Sequence, residues 1–203
     1  MNIKDFLRED AKLKETMVDS ALNMCRNIKQ YDIKRGQPHY LLKNMIRSYT
    51  SYDTEYLITK ETKKVLENLG YDFNKFQRRS NIHKLKDDNG NRLLTFEHMI
   101  PAIVLQNILL NSPEDIDSFK KVLDKNRVTI MLKTQDKLLT EAGLRSKLPI
   151  DDLDMAEERY KVCNIELSDV VVKTYGDMKE VYCKKTKKKK LQFTHEMTNF
   201  DND

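Results

Sequence analysis

Two different apolar periods run through this chain, and together they confine it to a mixed fold. Between Lys4 and Lys29, Leu7, Ala11, Met17, Val18, Ala21, Leu22, Cys25 and Ile28 recur at three- and four-residue intervals. That spacing lines one side of an α-helix, or of two short ones in series. From Ile82 the period shortens. Ile82-His83-Lys84-Leu85-Lys86 alternates apolar and charged residues, Asp87-Asp88-Asn89-Gly90-Asn91 supplies residues tolerant of positive φ, and Arg92-Leu93-Leu94-Thr95-Phe96 follows as a second extended run. The pattern predicts a β-hairpin.

Further elements follow from the same reasoning. After the breaker Arg35-Gly36-Gln37-Pro38, the residues Tyr40, Leu41, Leu42, Met45 and Ile46 form a second helical stripe. A third helix is expected from Thr59 to Gly70, with glycine as its stop. The apolar run Ala102–Leu110 follows Pro101, which is tolerated in a first helical turn because its missing N–H would be unpaired there. Ser112 is expected to cap the next helix. Val128–Leu132 is β-branched enough for a short strand, and Thr134 is expected to cap a helix ending at Gly143. Val170-Val171-Val172 and Glu180-Val181-Tyr182-Cys183, around Gly176-Asp177, predict a second hairpin, and residues 194–203 read as a polar tail. The expectation is an α+β chain with a helical region at 1–74, a central core at 75–149, and a segment at 150–203 that holds acids, a hairpin, a lysine run and the tail.

The charge is unevenly distributed. A net of +5 comes from 37 basic and 32 acidic residues, but six lysines lie within Lys184–Lys190, and without them acids outnumber bases by one. Residues 75–92 and 125–147 each carry six basic against two acidic side chains, whereas residues 150–180 carry nine acidic against four basic. If the two basic stretches meet in space, they form one positive face suited to a polyanion. The three cysteines, Cys25, Cys163 and Cys183, are far apart and form no CxxC pair, which suits a reduced intracellular protein. The first residues are interrupted by charges, so no signal-peptide stretch is expected. No apolar run approaches the roughly 18 residues of a membrane span. These features predict a cytoplasmic protein without a membrane partner.

The most chemically suggestive order of residues is Glu97-His98 at the end of an extended run, Pro101 beyond it, then Asn126, the run Val128–Leu132, and Asp136 on the helix that follows. This order resembles the HNH, or ββα-metal, nuclease motif, over residues 82–149 at most. The resemblance implies a ββα-metal core and hydrolysis of DNA phosphodiesters, RNA not being excluded, with one divalent cation, Mg²⁺ or Mn²⁺. It implies His98 as general base, Glu97 and Asp136 as metal ligands, and Asn126 as the brace of the loop carrying the histidine. A neutral imidazole can take a proton from water, and a carboxylate-held hard cation can stabilise the departing oxygen. The family closes its metal site about nine residues after the asparagine, which is Gln135 here. Asp136, one further, is the better ligand for a hard cation. The separation of 28 residues between His98 and Asn126 exceeds the compact form of the motif and requires an inserted helix.

Around that centre, Arg78, Arg79, Lys84, Lys86, Arg127, Lys133, Arg145 and Lys147 are the expected phosphate contacts, which would position a strand without reading its sequence. A nuclease of this kind would suit restriction, phage or mobile-element biology. It would be a homodimer if it cuts both strands of a palindrome. The alternative is a non-catalytic protein that uses the same basic surfaces to bind nucleic acid or to inhibit another protein. His83 reads as a surface residue or phosphate contact.

Overall fold

The computed structural model describes residues 3–87 and 89–175. Helices α1 (Ile3–Gln30) and α2 (Gln37–Ser51) lead into strand β1 (Glu55–Thr59) and helix α3 (Lys60–Asn68). Strand β2 (Gln77–Arg78), helix α4 (Arg79–His83), strand β3 (Leu94–His98) and helices α5 (Ala102–Asn111) and α6 (Ile116–Asp124) follow. Strand β4 (Val128–Leu132), helices α7 (Lys133–Glu141) and α8 (Glu158–Val162), and strand β5 (Leu167–Tyr175) complete the described chain. The architecture is α+β, built on a five-stranded mixed sheet of order β2-β5-β1-β4-β3. No helix among the described residues is long and apolar enough to cross a membrane.

The expected helical stripes form helices. The stripe on α1 buries Val18, Ala21, Leu22, Cys25 and Ile28 against Leu42 and Ile46 of α2, Leu105 and Leu109 of α5, and Phe119 and Leu123 of α6. Burial pushes the Cys25 thiol up to about 12, so it stays protonated within this core. Thr59 caps α3 by accepting the amide of Thr62 at 3.2 Å, and Gly70 follows the helix at φ +73°, a conformation that favours glycine.

The sheet corrects several expectations. The region at 1–74 is not purely helical: β1 stands between β5 and β4, parallel to β4 with Leu57 opposite Thr129 and antiparallel to β5 with Tyr56 opposite Val172. The hairpin predicted around residues 87–91 is reduced to a single bridge, Lys86 to Arg92. Its turn forms as expected, with the Asp87 carboxylate accepting from the amides of Asn89 (3.0 Å) and Asn91 (2.8 Å). Its first arm instead begins as α4, because one helical turn suffices to bury Ile82 beside Tyr56 and Leu66. Asp115, not Ser112, caps α6, accepting from the Ser118 amide at 2.8 Å. Thr134 does not cap α7, which starts one residue earlier. The Gln135 side chain reaches back to the Leu132 amide at 3.2 Å. The first arm of the second predicted hairpin is β5, which pairs with β1 and β2. Its other arm, the lysine run and the tail lie outside the described residues.

The pleat sorts β3 and β4 into two chemistries. Side chains alternate between faces along a strand. Leu94 and Phe96 with Val128 and Ile130 pack into one core with Tyr56, Ile58 and Ile82, while Met131 packs into another with Leu139, Leu144, Tyr160 and Ile165.

Candidate functional site at the end of strand β3

Glu97 and His98 remain inside the regular antiparallel ladder, opposite Thr129 and Val128 respectively. The ladder continues past them, with the Met99 amide donating to the Arg127 carbonyl at 2.8 Å. Because the strand has not turned at this point, the two side chains leave on opposite faces. Glu97 faces α7 and α8, and His98 faces α2.

On the first face the partner of Glu97 is Arg159. Its Nη1 lies 2.9 Å from Glu97 Oε1 and its side chain is fully buried. The same guanidinium donates to the carbonyls of His98 (2.7 Å), Met99 (3.2 Å) and Leu144 (2.6 Å). It therefore ties the end of β3 to the loop after α7. Burial pushes the Glu97 carboxyl above its ordinary range, the Arg159 charge opposes that shift, and Asp136 adds to it. Thr129 and Tyr160, both buried, wall the same side.

On the second face His98 Nδ1 lies 2.9 Å from Thr50 Oγ1. Burial lowers the imidazole to about 4, with the charges of Arg47 and Arg159 acting in the same direction. At neutral pH the ring is uncharged. His39, elsewhere on α2, is half-buried with both nitrogens engaged: Nε2 lies 2.7 Å from the Ile33 carbonyl and Nδ1 lies 3.0 Å from Gln106 Nε2.

Asn126 lies where the resemblance implies a brace. Its Oδ1 accepts the Ile100 amide at 2.9 Å, which holds the segment immediately after His98. Between them, α5 and α6 fill the long separation between the two halves of the motif. Gln135 is committed elsewhere, since its Oε1 accepts from Thr59 Oγ1 at 2.8 Å as well as from the Leu132 amide. Asp136 is half-buried and close enough to Glu97 to influence its titration. Glu97, His98 and Asp136 do not fit a divalent cation as arranged. The cationic position beside Glu97 is filled by a guanidinium and His98 is on the other face. Among the described residues no group of three His, Cys, Asp or Glu side chains is arranged to hold a metal ion.

The basic residues do not form the single face expected of them. Arg79 is internal: it pairs with Asp10 at 3.2 Å, donates to the Asp53 carbonyl at 3.0 Å, and lies over the rings of Tyr52 and Tyr56. Arg78 is on β2, at the opposite edge of the sheet from β3, with its Nε 3.4 Å from Tyr175 Oη. Arg127 lines a polar cavity of about 320 Å³ with Lys14, Asp53, Glu55 and Asp124. Arg145 and Lys147 are exposed beyond α7, and Arg145 acts on Glu97.

The remaining bases do gather. The Leu93 amide donates to the Leu85 carbonyl at 3.0 Å, the Lys133 amide donates to the Leu93 carbonyl at 3.1 Å, and Lys86 is bridged to Arg92. Three backbone segments thereby bring exposed Lys84, Lys86, Arg92 and Lys133 to the end of the sheet where β3 begins and β4 finishes. None of these four cations enters an ion pair among the described residues.

Sequence reasoning missed Arg159, whose only signal was a lone arginine amid the acids of 150–180. It also left Arg92 out of the phosphate contacts, although that residue stands in the first basic stretch. No family model, curated protein or solved structure matches the chain.

Proposed function

We propose that this chain is a non-catalytic nucleic-acid-binding protein whose described contact surface is the basic end of the sheet around Lys84, Lys86, Arg92 and Lys133. The observation that carries the reading is the convergence of four exposed cations on three adjoining backbone segments, with none offset by a carboxylate partner among the described residues. Uncompensated lysine and arginine side chains attract phosphates and displace their counterions, which makes the affinity strongly salt-dependent. The Glu97–Arg159 pair supports the non-catalytic form of the reading, because the carboxylate is engaged by a fixed internal cation.

The test is binding of a labelled oligonucleotide over a salt series. Replacing Lys84, Lys86, Arg92 and Lys133 together by glutamine weakens binding at every salt concentration. It also flattens the slope of log affinity against log salt by roughly 0.7 to 0.9 for each phosphate that is no longer neutralised. A slope unchanged in the fourfold variant refutes the assigned surface.

A second reading, a metal-dependent endonuclease of the HNH type, is favoured by one specific set of observations. The order of β3, β4 and α7 is that of a ββα unit, and Asn126 braces the segment after His98. Incubation with supercoiled plasmid and Mg²⁺ or Mn²⁺, with and without chelator, separates the two. Nicking that needs the metal and disappears in His98→Ala establishes the nuclease. Intact plasmid retained in a salt-sensitive complex supports the binding protein.

A further inference from the structure

We infer that the nucleic acid held at this end of the sheet is single-stranded, with one unpaired base stacked on the ring of His83. The inference rests on the nucleic-acid reading above and names the form of partner that this surface takes. His83 is exposed, and its imidazole lies flat on Phe96, with ring centroids 3.8 Å apart and 26° between the planes. Phe96 in turn meets the buried Tyr56 edge-on at 5.5 Å. Three rings thus run from the core to the surface, and the outermost is held in orientation by the two beneath it. A ring fixed this way loses little further freedom when another ring stacks on it.

The cations stand in register with that platform. Lys84 is the next residue and Lys86 lies two beyond it, so both are within about 10 Å of chain from the imidazole. Lys86 is bridged to Arg92, which brings a third positive charge alongside. Asp87 is nearby, but its carboxylate is occupied by the turn amides of Asn89 and Asn91. An aromatic platform beside backbone-tracking cations is the arrangement that binds single strands without sequence preference, since every base has a π face. In a duplex those faces are already stacked on neighbouring pairs, so the ring adds nothing to duplex affinity.

The test uses the full chain, a labelled oligo-dT of about 16 nucleotides, enough for one such site, and a duplex of equal length. His83→Ala is expected to weaken oligo-dT binding about tenfold and to leave duplex binding unchanged. His83→Trp is expected to restore oligo-dT affinity. Because the chain has no other tryptophan, its indole emission reports the stack directly, falling as oligo-dT is added and staying constant with duplex. If His83→Ala binds oligo-dT as tightly as the unaltered chain, or the indole emission does not respond, the stacking site is overturned. The fourfold charge variant would still lose affinity for both probes in that case, and the nucleic-acid reading would stand. If the unaltered chain binds neither probe, both inferences fall together.

Discussion

Replacing Arg159 by methionine tests whether the pair at the end of β3 is a structural joint. The guanidinium is fully buried and serves Glu97 Oε1 together with the carbonyls of His98, Met99 and Leu144. Methionine approximates the length of the side chain but donates nothing. It leaves three carbonyl acceptors and one largely buried carboxylate without this partner. An unpaired buried acceptor costs about 1 to 3 kcal/mol, and breaking a buried ion pair from one side costs about 3 to 5 kcal/mol. These terms overlap, because protonation of Glu97 relieves part of the second. The expected loss is about 4 kcal/mol, a large share of the roughly 5 to 15 kcal/mol that holds a domain together. Urea unfolding followed by far-ultraviolet circular dichroism at pH 7 reads the effect. With a denaturant slope of about 2 kcal/mol/M, the midpoint falls by about 2 M. Glu97→Gln, which keeps an acceptor facing Arg159, should lose less than half as much. A midpoint shift under about 0.5 M for Arg159→Met would refute the joint and leave Glu97 free to bind a cation.

Two further substitutions probe neighbouring features. Gln135→Ala removes the acceptor shared by Thr59 Oγ1 and the Leu132 amide. It should cost about 2 kcal/mol in the same unfolding assay, and an unchanged midpoint would mean that α7 needs no such anchor. His98 provides a pH signature. Its folded-state value of about 4 lies below its ordinary 6.5, so the unfolded chain takes up the proton first. Its contribution is therefore fully present above about pH 6.5 and is lost as pH falls from there toward 4, amounting to about 3 kcal/mol by the lower end. His98→Asn, which cannot titrate, should show a shallower loss over that window in paired urea curves. Parallel acid limbs for the two proteins would contradict a buried neutral imidazole.

Local elements were legible where a short-range rule acts alone. The stripe from Leu7 to Ile28 could be buried only as a helix, and the chain folds it as α1. Thr59 and Gly70 bound α3 because a side-chain cap and a positive φ are decided within a few residues. The turn at Asp87–Asn91 formed for the same reason, and its second arm runs into β3, but its first arm did not form a strand. Ile82 found its place in the core from a helical turn, and nothing within residues 82–96 could reveal that Tyr56 and Leu66 would be waiting there. Asn126 drew notice only through the resemblance; its burial and its bond to the Ile100 amide are settled by the packing of β4 against the end of β3.

What the sequence alone determined, then, is the helical stripe of α1, the bounds of α3, the turn at Asp87–Asn91, and the presence of basic stretches at 75–92 and 125–147. What only the tertiary structure decided is which charges are available. Arg79 and Arg159 have the same side chain as Arg92, but long-range packing buries the first against Asp10 and the second against Glu97, while Arg92 stays exposed beside Lys86. The same holds for Glu97 and His98, consecutive in the chain but sent to opposite faces because the ladder with β4 runs past both of them. Propensity acts over neighbouring residues, whereas desolvation, ion pairing and the choice of face are settled by partners far along the chain, Thr50 for His98 and Arg159 for Glu97.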